Sequence, residues 1–210
     1  MAGHPASCSR QTSFTGWLVI ATQPHASQET LITRPGYGWA SRNPRRSIRS
    51  LRPTHASYLD CVTEFVPPDF EIPLGIETSE FVLEPLGPEH NEQDYNAWTS
   101  SMEHIAATPG FPWGTWPREM TPGENRADLE RHAEDFRHRT GFTYTVLDPS
   151  SRDVIGCVYI YPARDTDCDA RALSWVRQSH AHLDAPLWHG VSEWLAADWP
   201  FANVRYAART

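Results

Sequence analysis

The charge of the chain changes sign near residue 61, and this limits which part can form a core. Residues 1–61 contain seven arginines and only two acidic residues, whereas residues 62–210 contain eleven arginines and 24 acidic residues. The first part is rich in Ser, Pro, Thr and Arg and shows no sustained hydrophobic period, so it is not expected to pack a core. The sequence predicts a disordered or mis-annotated extension over 1–61 and one folded domain over 62–210.

The arginine-rich stretch 42–52 allows three interpretations. It could be a nucleic-acid or targeting arm, a solvated tail without a function, or a segment absent from the native protein. The chain contains no lysine, which suggests a GC-rich gene. Such genes have long spurious upstream reading frames and often start at GTG, so Val62 is a candidate first residue. Mass spectrometry of native peptides would decide between these interpretations.

Composition argues against several classes of function. A net charge of -8 does not suit a nucleic-acid or anionic-membrane binder. The four cysteines show no CxxC spacing, and the apolar run 17–21 is too short to span a membrane. We therefore expect a cytoplasmic protein with neither nucleic-acid nor membrane partners.

Hydrophobic periodicity divides the second part into eight elements. Residues 80–84 alternate as a strand, and residues 88–107 carry an amphipathic helical stripe of Tyr95, Trp98, Met102 and Ile105. Thr121 and Glu124 form a capping box that opens a second helix. This helix runs to about Arg139, carries Leu129, His132, Ala133 and Phe136 along one face, and is ended by Gly141. Two hairpin strands, a third strand, a helix from Asp184 or Ala185 and a last short strand follow. The predicted order is β-α-α-β-β-β-α-β.

This order resembles the GNAT superfamily of N-acetyltransferases. Residues 153–162 look like the family's second hairpin strand, and Trp175-Val176 looks like its central strand before the cofactor loop. The resemblance implies an α/β (α+β) fold with a mixed, mainly antiparallel sheet flanked by helices, lacking the usual C-terminal α-β-β. It also implies acetyl-CoA as co-substrate and an amine-bearing small molecule or peptide as acceptor.

The cofactor loop of the family holds the pyrophosphate at a helix N-terminus, where free amides and the helix dipole favour an anion. The positions matching that region, from the central strand into the loop, are Trp175, Val176, Gln178, Ser179, His180, Ala181 and His182. Three residues after them depart from the pattern. Leu183 is bulky, Asp184 adds a carboxylate and is read as the N-cap of its helix, and Pro186 lacks an amide donor.

The acceptor side is implied by position alone. Trp113 and Trp116 lie in a Pro-rich aromatic loop that corresponds to the family's acceptor region between its first two helices. No catalytic residue can be transferred by position, and the substitutes considered are Tyr144, Tyr159 and the histidines of residues 180–189. His180, His182 and His189 are expected to be surface or loop residues, and no metal site is expected.

Two functions remain open from the sequence. The first is an acyl-CoA-dependent N-acyltransferase, most simply an N-acetyltransferase, acting on an unknown amine. The second is a catalytically silent GNAT-like module that binds a partner or itself. An uncovered sheet edge near Ala208 and apolar surface from Trp194 and Trp199 favour a homodimer or other homo-oligomer.

Overall fold

The computed structural model describes residues 29–33, 64–111, 116–164 and 167–209. The helices and strands, in chain order, are β1 (Glu29–Thr33), β2 (Val82–Pro85), α1 (Asn91–Thr99), α2 (Met102–Ala107), α3 (Pro122–His138), β3 (Phe142–Leu147), β4 (Val154–Pro162), β5 (Ala170–Val176), α4 (Asp184–Asp198) and β6 (Asn203–Ala207). Short 3-10 helices at Pro88–His90 and Gln178–Leu183 precede α1 and α4.

The strands form one six-stranded sheet in the order β1-β6-β5-β4-β3-β2. Only β5 and β6 pair in parallel, and the other neighbours are antiparallel. The predicted mixed, mainly antiparallel fold and the predicted order of elements over 62–210 are confirmed.

Strand β1 was not predicted, because it lies in the segment that showed no sustained periodicity. It pairs with β6 from Glu29↔Ala207 to Thr33↔Asn203, and Ile32 packs against the core. The edge of β6 is therefore covered. Val62 and the arginine-rich stretch 42–52 lie outside the described residues, so the division at residue 61 stays a prediction.

The first predicted helix is interrupted at Ser100 and Ser101. The Ser100 hydroxyl donates to the Ala97 carbonyl oxygen (3.0 Å), and the Ser101 amide donates to the Trp98 carbonyl oxygen (3.0 Å). Serine side chains that bond to nearby backbone groups compete with the regular helix. The predicted stripe still points inward, since Trp98 and Ile105 are fully buried.

Helix α3 begins as predicted and ends at His138, close to the predicted end near Arg139, but at a different terminating residue. The Thr121 hydroxyl accepts from the Glu124 amide, and Glu124 Oε2 accepts from the Thr121 amide at 2.7 Å. The C-terminal signal is Arg139, which adopts a left-handed conformation with φ of 62°. Gly141 was therefore wrongly assigned as the residue that ends this helix.

Two apolar cores lie on opposite faces of the sheet. Helix α4 covers one face, where Trp194 and Trp199 are buried, and α1 to α3 cover the other, where Trp98 and Trp175 are buried. The predicted apolar surface from Trp194 and Trp199 is therefore wrong. With the β6 edge covered as well, neither reason given for oligomer formation holds, and the homodimer itself stays a prediction.

Candidate functional site

Strands β5 and β6 separate before they end. Their parallel pairing runs only from Ala170↔Val204 to Ala172↔Tyr206, while β5 stays paired to β4 as far as Val176. Beyond Ala172, no strand within the described residues pairs with the edge of β5 that faces β6. We call the space between residues 173–176 of β5 and residues 207–209 the β5–β6 gap.

The side chain of Arg209 fills the β5–β6 gap. Its Nη2 donates to the Ser174 carbonyl oxygen (2.9 Å), and its Nη1 donates to the carbonyl oxygens of Ala207 (2.8 Å) and Pro109 (3.1 Å). The guanidinium also lies over the Tyr206 ring, 5.7 Å from its centroid. An arginine therefore satisfies backbone groups that a neighbouring strand would otherwise bind.

Arg209 also neutralises the carboxylate at the start of α4. Arg209 Nε lies 2.7 Å from Asp184 Oδ2, and the arginine side chain is only 3% exposed. Asp184 is the first residue of α4 and its side chain makes no cap, because Leu183 occupies the N-cap position. The interpretation of Asp184 as an N-cap is therefore wrong, and its charge is paired.

The predicted cofactor loop forms a 3-10 helix that leads directly into α4. The Asp184 amide already donates to Ala181, the His180 amide donates to Arg177 (2.8 Å), and the Gln178 amide donates to Ser101 Oγ (3.0 Å). The amides that a phosphate would use are thus partly occupied.

A cavity of about 330 Å³ lies beside this loop, lined by Ser100, Ser101, Arg177, Gln178 and Ser179. Of the predicted cofactor residues, Trp175 and Val176 are buried at the end of β5, and Gln178 and Ser179 line this cavity. Ala181 and His182 are exposed, and the rings of His180 and His182 stack with centroids 6.1 Å apart. Arg177, which the sequence analysis did not select, is the cation in the wall.

A second cavity, of about 370 Å³, opens on the face covered by α3. Its walls are Phe111, Trp116, Arg118, Met120, Asp128, Arg131, His132, Tyr159 and Leu173. We call it the Trp116 pocket. Leu173 is the first β5 residue beyond the β6 pairing, so the pocket borders the point where the gap opens. The predicted substrate residue Trp116 lies here, whereas Trp113 lies outside the described residues.

An aromatic cluster supports the floor of the Trp116 pocket. The Trp116 and Trp175 ring centroids are 5.9 Å apart, and Trp175 Nε1 donates to Tyr159 Oη at 3.2 Å. Phe111 closes the cluster, with its centroid 5.6 Å from that of Trp116. Trp175 therefore links the end of β5 to the pocket.

One acidic residue, one histidine and two arginines give the Trp116 pocket its polar chemistry. His132 Nε2 lies 3.6 Å from Asp128 Oδ2, and Asp128 also pairs with Arg131. Burial raises the pKa of the Asp128 carboxyl, but the nearby His132 and Arg131 outweigh it, so the pKa lies below its ordinary value. The Asp128/His132 spacing of four residues on one helix face was the available sequence signal; the sequence analysis assigned His132 to packing.

Below these residues, Asp94 is almost fully buried in α1. Its Oδ2 accepts a bond from Asn125 Nδ2 at 3.0 Å, and Asn125 Oδ1 accepts from Trp98 Nε1 at 2.9 Å. Burial raises the pKa of Asp94 to about 6, even though the bond from Asn125 lowers it. Asp94 thus titrates within the range in which acid–base residues function.

The two tyrosines considered as acid–base residues lie in different parts of the structure. Tyr144 lies in the core on the α4 face, where its hydroxyl donates to the Pro73 carbonyl oxygen at 2.6 Å, so it does not reach the Trp116 pocket. Tyr159 lies in the pocket wall, and burial raises the pKa of its hydroxyl. In the described part of the chain, no group of three or more His, Cys, Asp or Glu side chains is arranged to hold a metal ion.

Comparisons with known proteins give structural matches alone. No family model and no curated protein matches the chain. The solved structures similar to it include the ribosomal-protein-S5-alanine acetyltransferase from Vibrio fischeri, at 16% identity over 59% of this chain and 67% of that chain, with a TM-score of 0.46. A putative ribosomal-protein-serine acetyltransferase from Vibrio cholerae matches at 13% identity over 61% and 66%, with a TM-score of 0.45. Microcin C7 self-immunity acetyltransferase MccE, solved with acetyl-CoA and AMP, matches at 11% identity over 59% and 66%, with a TM-score of 0.46.

The element order and the mixed, mainly antiparallel sheet agree with the fold implied by the resemblance stated from the sequence. The chain spans about two thirds of the length of these solved proteins (66–67%). No helix in the described ranges is long and apolar enough to cross a membrane.

Proposed function

We propose that the domain is an acyl-CoA-dependent N-acyltransferase, most simply an N-acetyltransferase, with acetyl-CoA in the β5–β6 gap. The observation that carries this proposal is the free edge of β5 beyond Ala172. The Ser174 carbonyl oxygen on this edge accepts a hydrogen bond from the Arg209 side chain, which can move, and not from a neighbouring strand. Pantetheine amides are suited to pair with such an edge.

The acceptor amine would occupy the Trp116 pocket, which borders the gap at Leu173. In the direct reaction the amine nitrogen attacks the thioester carbon, the new N–C bond forms and the C–S bond breaks. The amine loses a proton to a base, and the CoA sulfur leaves as a thiolate that takes up a proton. Backbone amides at the free edge would polarise the thioester carbonyl.

The pyrophosphate would lie at the cavity beside the 3-10 helix. Arg177, Gln178 and Ser179 line that cavity and supply one cation and polar groups. Asp184 does not repel an anion there as strongly as an unpaired carboxylate would, because Arg209 neutralises it. The predicted sites of Trp175, Val176, His180, Ala181 and His182 stay part of this proposal.

A catalytically silent binding module is the second candidate, and a specific observation favours it. Arg209 occupies the gap with three bonds to carbonyl oxygens, so a cofactor must displace it. If Arg209 cannot leave, the fold retains the shape of an acyltransferase without its ligand.

Calorimetric titration of acetyl-CoA into the full chain separates the two functions. The acyltransferase proposal predicts saturable heat, and thiol release when a panel of primary amines is added. A silent module predicts no heat at millimolar acetyl-CoA. Arg171→Ala is a suitable control, because Arg171 also bonds a backbone carbonyl (Gly110, 2.9 Å) but does not contact Ser174 in the gap.

A further inference from the structure

The hydrogen bonds around His132 fix which ring nitrogen carries its proton. Tyr161 Oη donates its single proton to Asp135 Oδ2 at 3.1 Å, so toward His132 it acts as an acceptor. His132 Nδ1 lies 2.7 Å from that oxygen and 3.1 Å from Thr143 Oγ1. Nδ1 therefore carries the proton of the neutral ring, and Nε2 keeps its lone pair.

The free Nε2 faces the carboxylate of Asp128 in the wall of the Trp116 pocket. The separation of 3.6 Å is longer than a hydrogen bond, so Asp128 does not engage Nε2 directly. A carboxylate and a ring nitrogen with a free lone pair can both contact the same ammonium group. The flat walls from Trp116, Phe111 and Tyr159 suit an apolar or aromatic body attached to that group.

We propose that the Trp116 pocket binds a primary amine with an aromatic or apolar body, whose ammonium group contacts Asp128 and gives a proton to His132 Nε2. The inference deepens the proposed function, because it names the acceptor class and the base of the same site. Once neutral, the amine attacks the thioester carbon. His132 passes one amine proton to solvent. A second amine proton is transferred to the CoA sulfur when the C–S bond breaks, so CoA leaves as a thiol.

Two carboxylates flank His132. Asp135 accepts a bond from Tyr161, whose hydroxyl oxygen contacts the ring at Nδ1, and Asp128 faces Nε2 from the pocket side. Thr143 on β3 is a neutral hydroxyl partner of His132. The charged or titratable groups near His132 are Asp128, Arg131 and Asp135 on α3, Asp94 on α1, Tyr159 and Tyr161 on β4, and Arg118 in the pocket wall. The two arginines lie at exposed positions on the rim.

The first test uses the free full-length protein and needs no acetyl-CoA. Nitrogen NMR of histidine-labelled protein, with His132→Gln to assign the signal, should show the Nδ1-protonated ring. Benzylamine, added as a probe, should shift that signal saturably, and Asp128→Asn should weaken its binding at least tenfold. An Nε2-protonated ring, or a signal that benzylamine does not move, would overturn the proposal.

The second test measures thiol release from acetyl-CoA with benzylamine across pH. His132→Gln should lower the rate about 100-fold and change the shape of the pH profile. Acetyl-CoA affinity should stay within twofold. His138→Gln, an exposed histidine on the same helix, is the matched control and should change neither quantity.

The outcomes distinguish this inference from the proposed function. If acetyl-CoA does not bind the wild type, the acyltransferase proposal fails, and the base assignment fails with it, while NMR still decides whether the pocket takes an amine. If acetyl-CoA binds and turns over but His132→Gln keeps the wild-type rate and pH profile, the acyltransferase proposal stands and His132 is not the base.

Discussion

Replacing both members of the Asp184–Arg209 pair should open the β5–β6 gap. The double variant Asp184→Asn/Arg209→Ala removes the arginine without leaving an unpaired carboxylate beside the proposed pyrophosphate site. Before acetyl-CoA can pair with β5, the wild type must break the arginine's bonds to Ser174, Ala207 and Pro109. At about 1 kcal/mol net for each bond, this opposes binding by about 3 kcal/mol.

Because each 1.4 kcal/mol changes affinity about tenfold, the double variant should bind acetyl-CoA about 100-fold more tightly than the wild type. Calorimetry measures the affinity, and circular dichroism with thermal unfolding checks that the fold is intact. Unchanged or weaker binding in a folded double variant would refute the reasoning, since it would mean that Arg209 does not exclude the ligand or that it helps to bind it.

The single variants separate the effect of Arg209 from the effect of Asp184. Arg209→Ala empties the gap but frees the Asp184 carboxylate, so its gain in affinity should be smaller than that of the double variant. Asp184→Asn leaves the arginine in place and uncompensated, and should lower the free energy of unfolding by about 3 kcal/mol. Arg171→Ala should leave acetyl-CoA affinity unchanged.

Three further changes test the fold and its buried acid. Ile155→Asp, which puts a charge into the core on the α4 face, should cost more than about 4 kcal/mol; a soluble, cooperatively unfolding variant would contradict the assignment of β4. Gly156→Ala should cost about 3 kcal/mol in chemical denaturation, since its Cβ would lie 2.2 Å from the Trp175 carbonyl oxygen. The pKa of Asp94 rises from 3.8 to about 6 on folding, so the wild type loses stability as the pH increases between these two values. Asp94→Asn should therefore leave the free energy of unfolding unchanged near pH 3.5 and raise it by about 3 kcal/mol above pH 7. Urea unfolding at both pH values measures this, and equal effects at both would contradict the raised pKa.

The local features of the fold were predictable from the sequence. Alternation over residues 80–84, the capping box at Thr121 and the hairpin strands are each set by residues close together in the chain. The break at Ser100 and Ser101 was missed because the apolar stripe continues across it. Strand β1 was missed because its five residues gain their partner only from β6, far along the chain.

The site was less predictable, because its decisive contacts join distant residues. Trp116 was selected from its loop, and it does lie in a pocket beside the end of β5. His132 was assigned to packing, since its apolar neighbours on α3 give a helical period and the Tyr161 hydroxyl lies 29 residues away in sequence. Asp184 was interpreted as an N-cap because its ion-pair partner, Arg209, lies 25 residues later in the chain.

The state of the gap depends on a balance that the fold alone does not set. The divergence of β5 and β6 creates an unpaired backbone edge, and unpaired buried carbonyl groups must be satisfied by some partner. Arg209 donates a hydrogen bond to the Ser174 carbonyl oxygen, and its own charge is paired with Asp184. Because the arginine's carbonyl bonds contribute only about 3 kcal/mol, a ligand that offers several backbone-like bonds along residues 173–176 can compete with it. The edge is therefore closed in the free chain, and under the proposed function a pantetheine arm would displace the arginine. Acetyl-CoA affinity, and not topology, is then the property that separates the proposed enzyme from a silent module.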